Sequence, residues 1–247
     1  MSSWLICRRC GLLAVLAAFV LAPLPATADD LADFNAAVER AAAHNRVALG
    51  YLRTQTFDLA SYELVRMKDA WGDLTGQFGG SPPAKLRDSP HYTEVLVDVP
   101  TRIVTAMIML DLGRAEIAAN SLQAIRLELS NMRRESGIEI LADCVLDYSA
   151  VLAVFVAYDD APPDFARPEM AAELSARAGA IEKVATHCDA LAGDAVRMRP
   201  EFRRLIDGTF ASLAFVPKVI ETRDNELLHR LIGELRAFDN LLAFRYG

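Results

Sequence analysis

Two short segments of the sequence concentrate side chains that could bind a metal ion. Asp143 and Asp147 are four residues apart with Cys144 between them, and His187 directly precedes Cys188. On two antiparallel helices these groups would offer thiolate, imidazole and carboxylate ligands, a set suited to zinc or copper. However, neighbouring residues on a helix point about 100° apart, so His187 and Cys188 cannot both aim at one ion. The alternative is that the two cysteines are structural, either buried separately or bonded to each other.

The same two cysteines predict a disulfide bond. Cys7 and Cys10 fall in an N-terminal segment that we expect to be removed, which leaves an even pair for an oxidising compartment. Helix lengths oppose the bond, because Cys144 lies about 21 Å and Cys188 about 30 Å from the loop at 159–167, at 1.5 Å per residue. The difference of about 9 Å exceeds the Cα separation of about 5.5 Å that a disulfide prefers. The bond therefore requires staggered helix ends or a loop that folds back along one helix.

A cluster of arginines surrounds the predicted start of a helix at Pro200. Its members are Arg197, Arg199, Arg203 and Arg204. Free backbone amides at a helix start and guanidinium groups together bind anions. We therefore predict an anion-binding site here. The alternative is a solvated basic surface whose charge is balanced by Asp194, Glu201 and the acids of a neighbouring helix.

Motifs for catalysis and for covalent haem attachment are absent from the sequence. It contains no Gly-x-Ser-x-Gly, His-Glu-x-x-His, Walker or dinucleotide-binding glycine pattern, so we do not expect an enzyme. Covalent haem needs Cys-x-x-Cys-His, which the segment Thr186-His187-Cys188-Asp189 does not supply. A non-covalent haem would need an axial histidine or methionine. Candidates near apolar stripes are His44, Met67, Met107 and Met132, although methionine commonly fills cores. We predict no bound cofactor.

The first 28 residues have the layout of a secretory signal peptide. Arg8 and Arg9 precede an apolar run from Gly11 to Leu24 that only Pro23 interrupts, and Ala26-Thr27-Ala28 offers the small residues that a signal peptidase reads. The run is shorter than the roughly 20 residues of a transmembrane helix, and no second long apolar segment follows. We expect cleavage after Ala28 and a soluble periplasmic protein without stable membrane insertion. An uncleaved anchor and twin-arginine export are the alternatives.

Composition limits the remaining classes of function. The chain has 247 residues, 26 of them basic and 33 acidic, so its net charge is −7. Loss of Arg8 and Arg9 with the signal would make the mature charge −9, which argues against nucleic acid and anionic membranes as partners. A hydrophobic fraction of 53% and a charged fraction of 24% exclude a disordered chain.

Apolar residues recur every three to four positions along nearly the whole mature chain, which predicts helices. The first stripe is Leu31, Phe34, Val38, Ala41, Asn45, Ala48 and Leu52, with Asn45 as its polar interruption. Similar stripes predict seven further helices near 57–78, 99–110, 118–137, 138–158, 168–192, 200–220 and 228–242. Pro217 should kink the seventh of the eight helices. No strand-like alternation competes, so the predicted fold is all-α.

Short turns alternating with longer Pro- and Gly-rich loops suggest antiparallel helical hairpins. These could form two four-helix-bundle-like halves, 29–137 and 138–247, or one continuous stack of hairpins. Such a protein would act as a secreted periplasmic binding or accessory protein, whose partner is an envelope protein or a small ligand. The alternative is a periplasmic carrier of a metal or of non-covalent haem. The predicted architecture and compartment of this chain are similar to those of the cytochrome c′ and cytochrome b562 group, but the chain has no haem motif in common with it.

Overall fold

The structure, a computed structural model, describes residues 29–247, so the predicted signal peptide lies outside the described residues. This part of the chain is all-α, as predicted, and contains no strand. Its ten helices are α1 (Asp29–Arg53), α2 (Phe57–Phe78), α3 (Tyr92–Asp111), α4 (Ala115–Glu135), α5 (Leu141–Val156), α6 (Met170–Leu191), α7 (Asp194–Arg197), α8 (Pro200–Leu213), α9 (Val216–Thr222) and α10 (Asn225–Tyr246). None of these helices combines the length and the apolar character needed to cross a membrane.

Consecutive helices pack as hairpins around two separate apolar cores. Helices α1 to α4 enclose the first core, whose buried residues run from Phe34 to Ile138. Helices α5 to α10 enclose the second, whose buried residues run from Cys144 to Leu242. Helix α10 packs on α5 and α8 and also reaches α1, so the last helix connects the two cores. The division into the halves 29–137 and 138–247, rather than one continuous stack of hairpins, stays a prediction.

Helix α3 begins at Tyr92, seven residues before the predicted start, and Pro100 lies inside it. A proline in a helix removes the amide that would bond the carbonyl four residues earlier, here that of Leu96. That carbonyl instead accepts a hydrogen bond from the indole Nε1 of Trp71 on α2, at 3.4 Å. Trp71 is itself almost completely buried. The helix therefore continues through the proline because the neighbouring helix supplies the missing donor.

The predicted seventh helix is wrong in one respect, because Pro217 breaks it rather than kinking it. The chain forms α8 up to Leu213 and then α9 from Val216. Pro217 has no amide to bond the Leu213 carbonyl, and its ring would clash with that carbonyl in a continuous helix. Since Pro217 is the second residue of α9, it occupies a first-turn position that tolerates proline.

The structure joins Cys144 of α5 and Cys188 of α6 in a disulfide, with their Cα atoms 5.4 Å apart. The stagger that this bond requires comes from the chain after Val156. The amides of Ala157, Asp159 and Ala161 each bond a carbonyl three or four residues earlier, so helix-like turns continue beyond α5. Beyond the predicted helix end at 158 these turns add about 4.5 Å at 1.5 Å per residue, and the start of α6 at Met170 instead of 168 removes about 3 Å from the other side. Together they compensate for most of the difference of about 9 Å.

We predict that the disulfide stabilises the second core substantially. It closes a segment of 44 residues, for which the chain-entropy model gives about 4 kcal/mol. Replacing both cysteines with serine should lower the free energy of unfolding by about that amount in urea denaturation. The unfolded, non-reduced protein beginning at Asp29 should contain no free thiol. Two titratable thiols per chain would contradict the bond.

An ion pair sealed from solvent connects the end of α4 to the start of α5. The guanidinium of Arg133 donates from Nε and Nη2 to the two carboxylate oxygens of Asp143, at 2.8 and 2.5 Å. The side chains are 5% and 2% exposed. Their neighbours Arg134 and Asp147 form a second pair between the same helices, but these side chains are 44% and 41% exposed.

The buried and the exposed ion pair allow a matched comparison of how burial changes the contribution of an ion pair to stability. Asp143→Ala should lower the free energy of unfolding by about 3–5 kcal/mol, because it leaves the buried Arg133 charge without a counter-ion. Asp147→Ala at the exposed pair should lower it by about 1 kcal/mol or less. Urea denaturation of both variants measures the difference. Equal effects of the two substitutions would show that the buried pair does not hold α4 against α5.

Candidate functional site

The structure does not bring the predicted metal ligands together around a common point. Cys144 and Cys188 are bonded to each other, so neither offers a thiolate. Asp143 and Asp147 are paired with arginines of α4, and His187 Nε2 lies 2.7 Å from a carboxylate oxygen of Glu139. Residues 29–247 contain no group of three or more His, Cys, Asp or Glu side chains with the geometry of a metal site.

The predicted anion-binding arginines are largely engaged by the C-terminal end of α6. Arg203 donates two hydrogen bonds to the carboxylate of Asp189, at 2.6 and 3.2 Å. Arg197 donates to the main-chain oxygens of Asp189 and Ala190, at 2.9 and 2.8 Å. Arg199 bonds the Ala195 carbonyl, and only Arg204 is exposed without a bond of this kind. Arg197 therefore caps α6, whose last carbonyls lack amide partners. Arg197 and Arg203 together tie α7 and α8 to α6.

The residues considered as haem ligands have structural contacts. His44 Nδ1 lies 2.6 Å from a carboxylate oxygen of Glu63, which joins α1 to α2. Met67 and Met132 are at most 1% exposed within the first core, and Met107 packs against it. The polar interruption in the first stripe is also explained, because Asn45 donates to the Leu122 carbonyl of α4 at 3.1 Å.

A cavity of about 270 Å³ with charged and apolar lining residues lies where α1, α4 and α10 meet. Hereafter called the junction cavity, it lies between the two apolar cores. Its lining residues are Arg46, Leu49, Leu52, Arg53, Ala115, Glu116, Ala119, Gln123, Arg126, Ala243 and Phe244. A larger depression of about 740 Å³ between α2 and α3 is more open to solvent. The junction cavity is therefore the better candidate for holding a small molecule.

The sequence of α4 explains why space remains at this junction. Ala115, Ala119, Gln123 and Arg126 follow one another at intervals of four, four and three, so they share one side of the helix. The two alanines are too small to fill the gap between α4 and α10. On α1, Arg46 and Arg53 are two turns apart on the side that faces the same gap. The cavity consequently has charged and apolar lining residues from both α1 and α4, whereas α10 contributes only apolar ones.

Arg46 and Arg126 differ in how their charges are balanced. Arg46 is only 8% exposed, and its Nη1 donates to the main-chain oxygen of Gly247 at 2.7 Å. It is also ion-paired with Glu39. Arg126, in contrast, forms no ion pair with a described residue, and its buried Nη2 has no hydrogen-bond partner in the protein. Burial, and then the positive charge of Arg46, lower the pKa of Arg126, with a partial offset from Asp239.

A second, smaller cavity of about 60 Å³ lies beside the first and shares Arg126 with it. Two more of its lining residues have a buried polar atom without a protein partner, Oδ1 of Asn35 and Nη1 of Arg133. Its volume corresponds to about two water molecules at the liquid density. Arg126 therefore stands between a small polar chamber and the larger junction cavity.

Asp239 of α10 is the carboxylate whose charge acts on Arg126. Its Oδ1 accepts a hydrogen bond of 2.6 Å from the Ser149 hydroxyl on α5, and it forms no ion pair with a described residue. Burial raises the pKa of Asp239, although the Ser149 hydrogen bond and the charges of Arg126 and Arg53 oppose the shift. Since the net direction is upward, the folded protein disfavours the ionised form of this side chain.

This shift predicts how stability changes with pH. A folded carboxyl with a raised pKa binds its proton more tightly than the unfolded chain, so its contribution to stability falls as pH rises from about 4. Asp239→Asn keeps the hydrogen-bond acceptor and removes the charge. The variant should gain about 2 °C in Tm over the wild type at pH 8 and less at pH 4.

Thermal unfolding followed by circular dichroism at the two pH values measures this gain. Asp73→Asn, at an exposed position of α2, is the control and should show no such pH dependence. A Tm difference for Asp239→Asn that stays constant from pH 4 to pH 8 would contradict the raised pKa.

No family model, curated protein or solved structure matches this chain. The junction cavity must therefore be interpreted from its own residues. The sequence did not identify Arg46, Arg53 or Arg126 as site residues. Each lies beside the apolar stripe of its helix, where a solvent-exposed charged side chain is expected. The local signal that does exist is the spacing of Arg46 and Arg53, which stand seven residues apart and so share one face of α1.

Proposed function

We propose that this protein is a secreted periplasmic binding protein that holds a small ligand in the junction cavity. Residues 1–28 support secretion through their signal-like arrangement of basic, apolar and small residues. The disulfide between Cys144 and Cys188 supports an oxidising compartment. The acidic charge of the chain supports a function away from nucleic acid and anionic membranes.

The observation that carries the proposal is the junction cavity itself. Small-molecule sites are concave, mainly apolar and equipped with a few polar groups that fix the orientation of the ligand. The junction cavity has apolar walls from α1 and α10 and a cluster of arginines. Its volume of about 270 Å³ is just below the range of roughly 300–1,000 Å³ that is typical of such sites. The ligand is accordingly a small molecule.

Mass spectrometry of the protein purified from the periplasm tests both parts of the proposal. Under denaturing conditions, the intact mass should be that of residues 29–247 with one disulfide. Under native conditions, the wild type should carry an additional small-molecule mass. Ala119→Phe should remove that mass, because a phenyl ring at this lining position fills the cavity.

Ala176→Phe is the matched control, since Ala176 is exposed on α6 and lies outside the junction cavity. It should retain the bound mass. An intact mass that begins at Met1 would overturn secretion. A wild type without any bound mass, or with equal retention in Ala119→Phe, would overturn ligand binding at this site. A Soret band, or stoichiometric iron, copper or zinc, would favour the carrier alternative instead.

A further inference from the structure

We propose that the outer surface of α2 and α3 is a dimer interface, at which two copies of this chain pack about a two-fold axis. This surface, hereafter called the α2–α3 face, consists of Asp58, Tyr62, Val65, Asp69 and Gly72 of α2 and Val97, Thr101, Val104 and Ile108 of α3. None of these residues lines the junction cavity, so the inference does not depend on the proposed ligand.

Exposed apolar side chains are concentrated in this region. Of the fifteen large apolar side chains that are exposed in the described part of the chain, eight belong to α2, α3 or the turn after α3. They are Phe57, Leu59, Tyr62, Val65, Val97, Val104, Ile108 and Leu112. Scattered single residues of this kind are normal on a protein surface, whereas their concentration in one region is typical of an interaction site.

Helix α3 has two apolar stripes, and only one of them is covered. The first stripe is buried in the first core. The second stripe is exposed and steps by four, three and four residues through Val97, Thr101, Val104 and Ile108. Val97 is 60% exposed and Ile108 is 49% exposed. Apolar residues on both sides are typical of a helix that is covered on both sides.

The charged residues of α3 do not oppose burial of the second stripe. Arg102 pairs with Glu128 of α4. Glu94 and Asp98 line a depression to which residues of α4 also contribute. The fourth charged residue, Asp111, follows the stripe at the end of the helix. The exposed stripe can therefore be covered without removing an unpaired charge from water.

The occupant of the face is inferred from the symmetry of this stripe. A two-fold axis through the middle of α3, perpendicular to the helix, places Val97 of one copy opposite Ile108 of the other. The same axis places Thr101 opposite Val104. Each position of the stripe then meets another position of the same stripe, which is the self-complementarity that a two-fold dimer requires. A second copy of this chain is thus the partner that the pattern fits.

The level of this axis on α2 follows from a contact between the two helices. The Trp71 indole donates to the Leu96 carbonyl, so these two residues lie side by side in the antiparallel pair. About six residues separate Leu96 from the middle of α3, and the same rise along α2 leads from Trp71 to Val65. The axis therefore passes α2 near Val65.

The exposed stripe of α2 is complementary to itself about that level. Val65 meets its own copy, and it is 42% exposed in the single chain. Tyr62 lies opposite Asp69, whose carboxylate can accept a hydrogen bond from the tyrosine hydroxyl. Asp58 lies opposite Gly72, so the pairing does not bring two acids together. The chemistry of α2 therefore agrees with the axis that the α3 stripe defines.

The area of the face meets the requirement of a dimer. Helix α2 has 22 residues and α3 has 20, so each is about 30 Å long. Side by side at a spacing of about 10 Å, they present roughly 600 Å² per copy, or about 1,200 Å² for two copies. This area is at the lower limit of specific interfaces, so the dissociation constant should be on the order of micromolar.

Sedimentation velocity of the secreted protein over a concentration series tests the association. The wild type should change from monomer to dimer as its concentration rises. Val104→Glu should weaken the dimer by at least about a hundredfold, because it places two carboxylates near the axis in a desolvated interface. Val154→Glu, at a 52% exposed valine of α5 outside the face, is the matched control and should associate like the wild type.

Three results would overturn the proposal. The first is a wild type that stays monomeric at every concentration. The second is a dimer that both substitutions weaken equally. The third is a stoichiometric complex with a different protein that Val104→Glu dissociates, since the face would then belong to that partner. Circular dichroism of both variants establishes that their helices are intact before the sedimentation results are compared.

Introduced cysteines test the position of the axis. Val97→Cys and Ile108→Cys should not cross-link separately, because each position lies about 16 Å along the helix from its own copy. An equimolar mixture of the two variants should form an interchain disulfide under mild oxidation. Cys144 and Cys188 do not compete, because they are bonded to each other. Cross-links within either variant alone, or none in the mixture, would overturn the antiparallel pairing of α3.

Discussion

The buried ion pair between Arg133 and Asp143 is the interaction on which the arrangement of the two cores depends. Both side chains are almost completely removed from water, so each charge is tolerable only while the other is in place. Because one partner ends α4 and the other begins α5, the pair fixes the direction in which the chain enters the second core. Helix α10 packs on α5 and also reaches α1, so the placement of α5 affects where α10 meets α1. The junction cavity is a consequence of this contact, since α10 supplies one of its walls.

The disulfide and the arginine caps stabilise the second core in different ways. The bond between Cys144 and Cys188 joins α5 to α6, and it acts mainly by restricting the unfolded chain. Arg197 and Arg203 act on the folded chain, where they satisfy the last carbonyls of α6 and the carboxylate of Asp189. Together they hold α6, α7 and α8 in a fixed arrangement against which α10 can pack. A fixed α10 keeps the cavity wall in position relative to α1 and α4.

The arginines of this protein differ in whether they have a partner within the protein. Most of those near the junction have an acidic or carbonyl partner, and their role is to hold helices together. Arg126 has none among the described residues, and burial together with Arg46 lowers its pKa.

The sequence by itself determined the helices, because the three-to-four-residue spacing of apolar side chains is a local property that survives without tertiary contacts. It also predicted the pairing of Cys144 with Cys188 from their even number, although helix lengths argued against it. Only the tertiary structure decided the register that made the bond possible, through turns that continue past the predicted helix end at 158. It also decided that Pro100 is accommodated, because Trp71 on another helix supplies the missing donor, whereas Pro217 breaks its helix. The junction cavity depends on residues from α1, α4 and α10, which lie up to about 200 positions apart. Local sequence patterns cannot predict that these three helices come into contact, because the contact follows from the packing of whole helices.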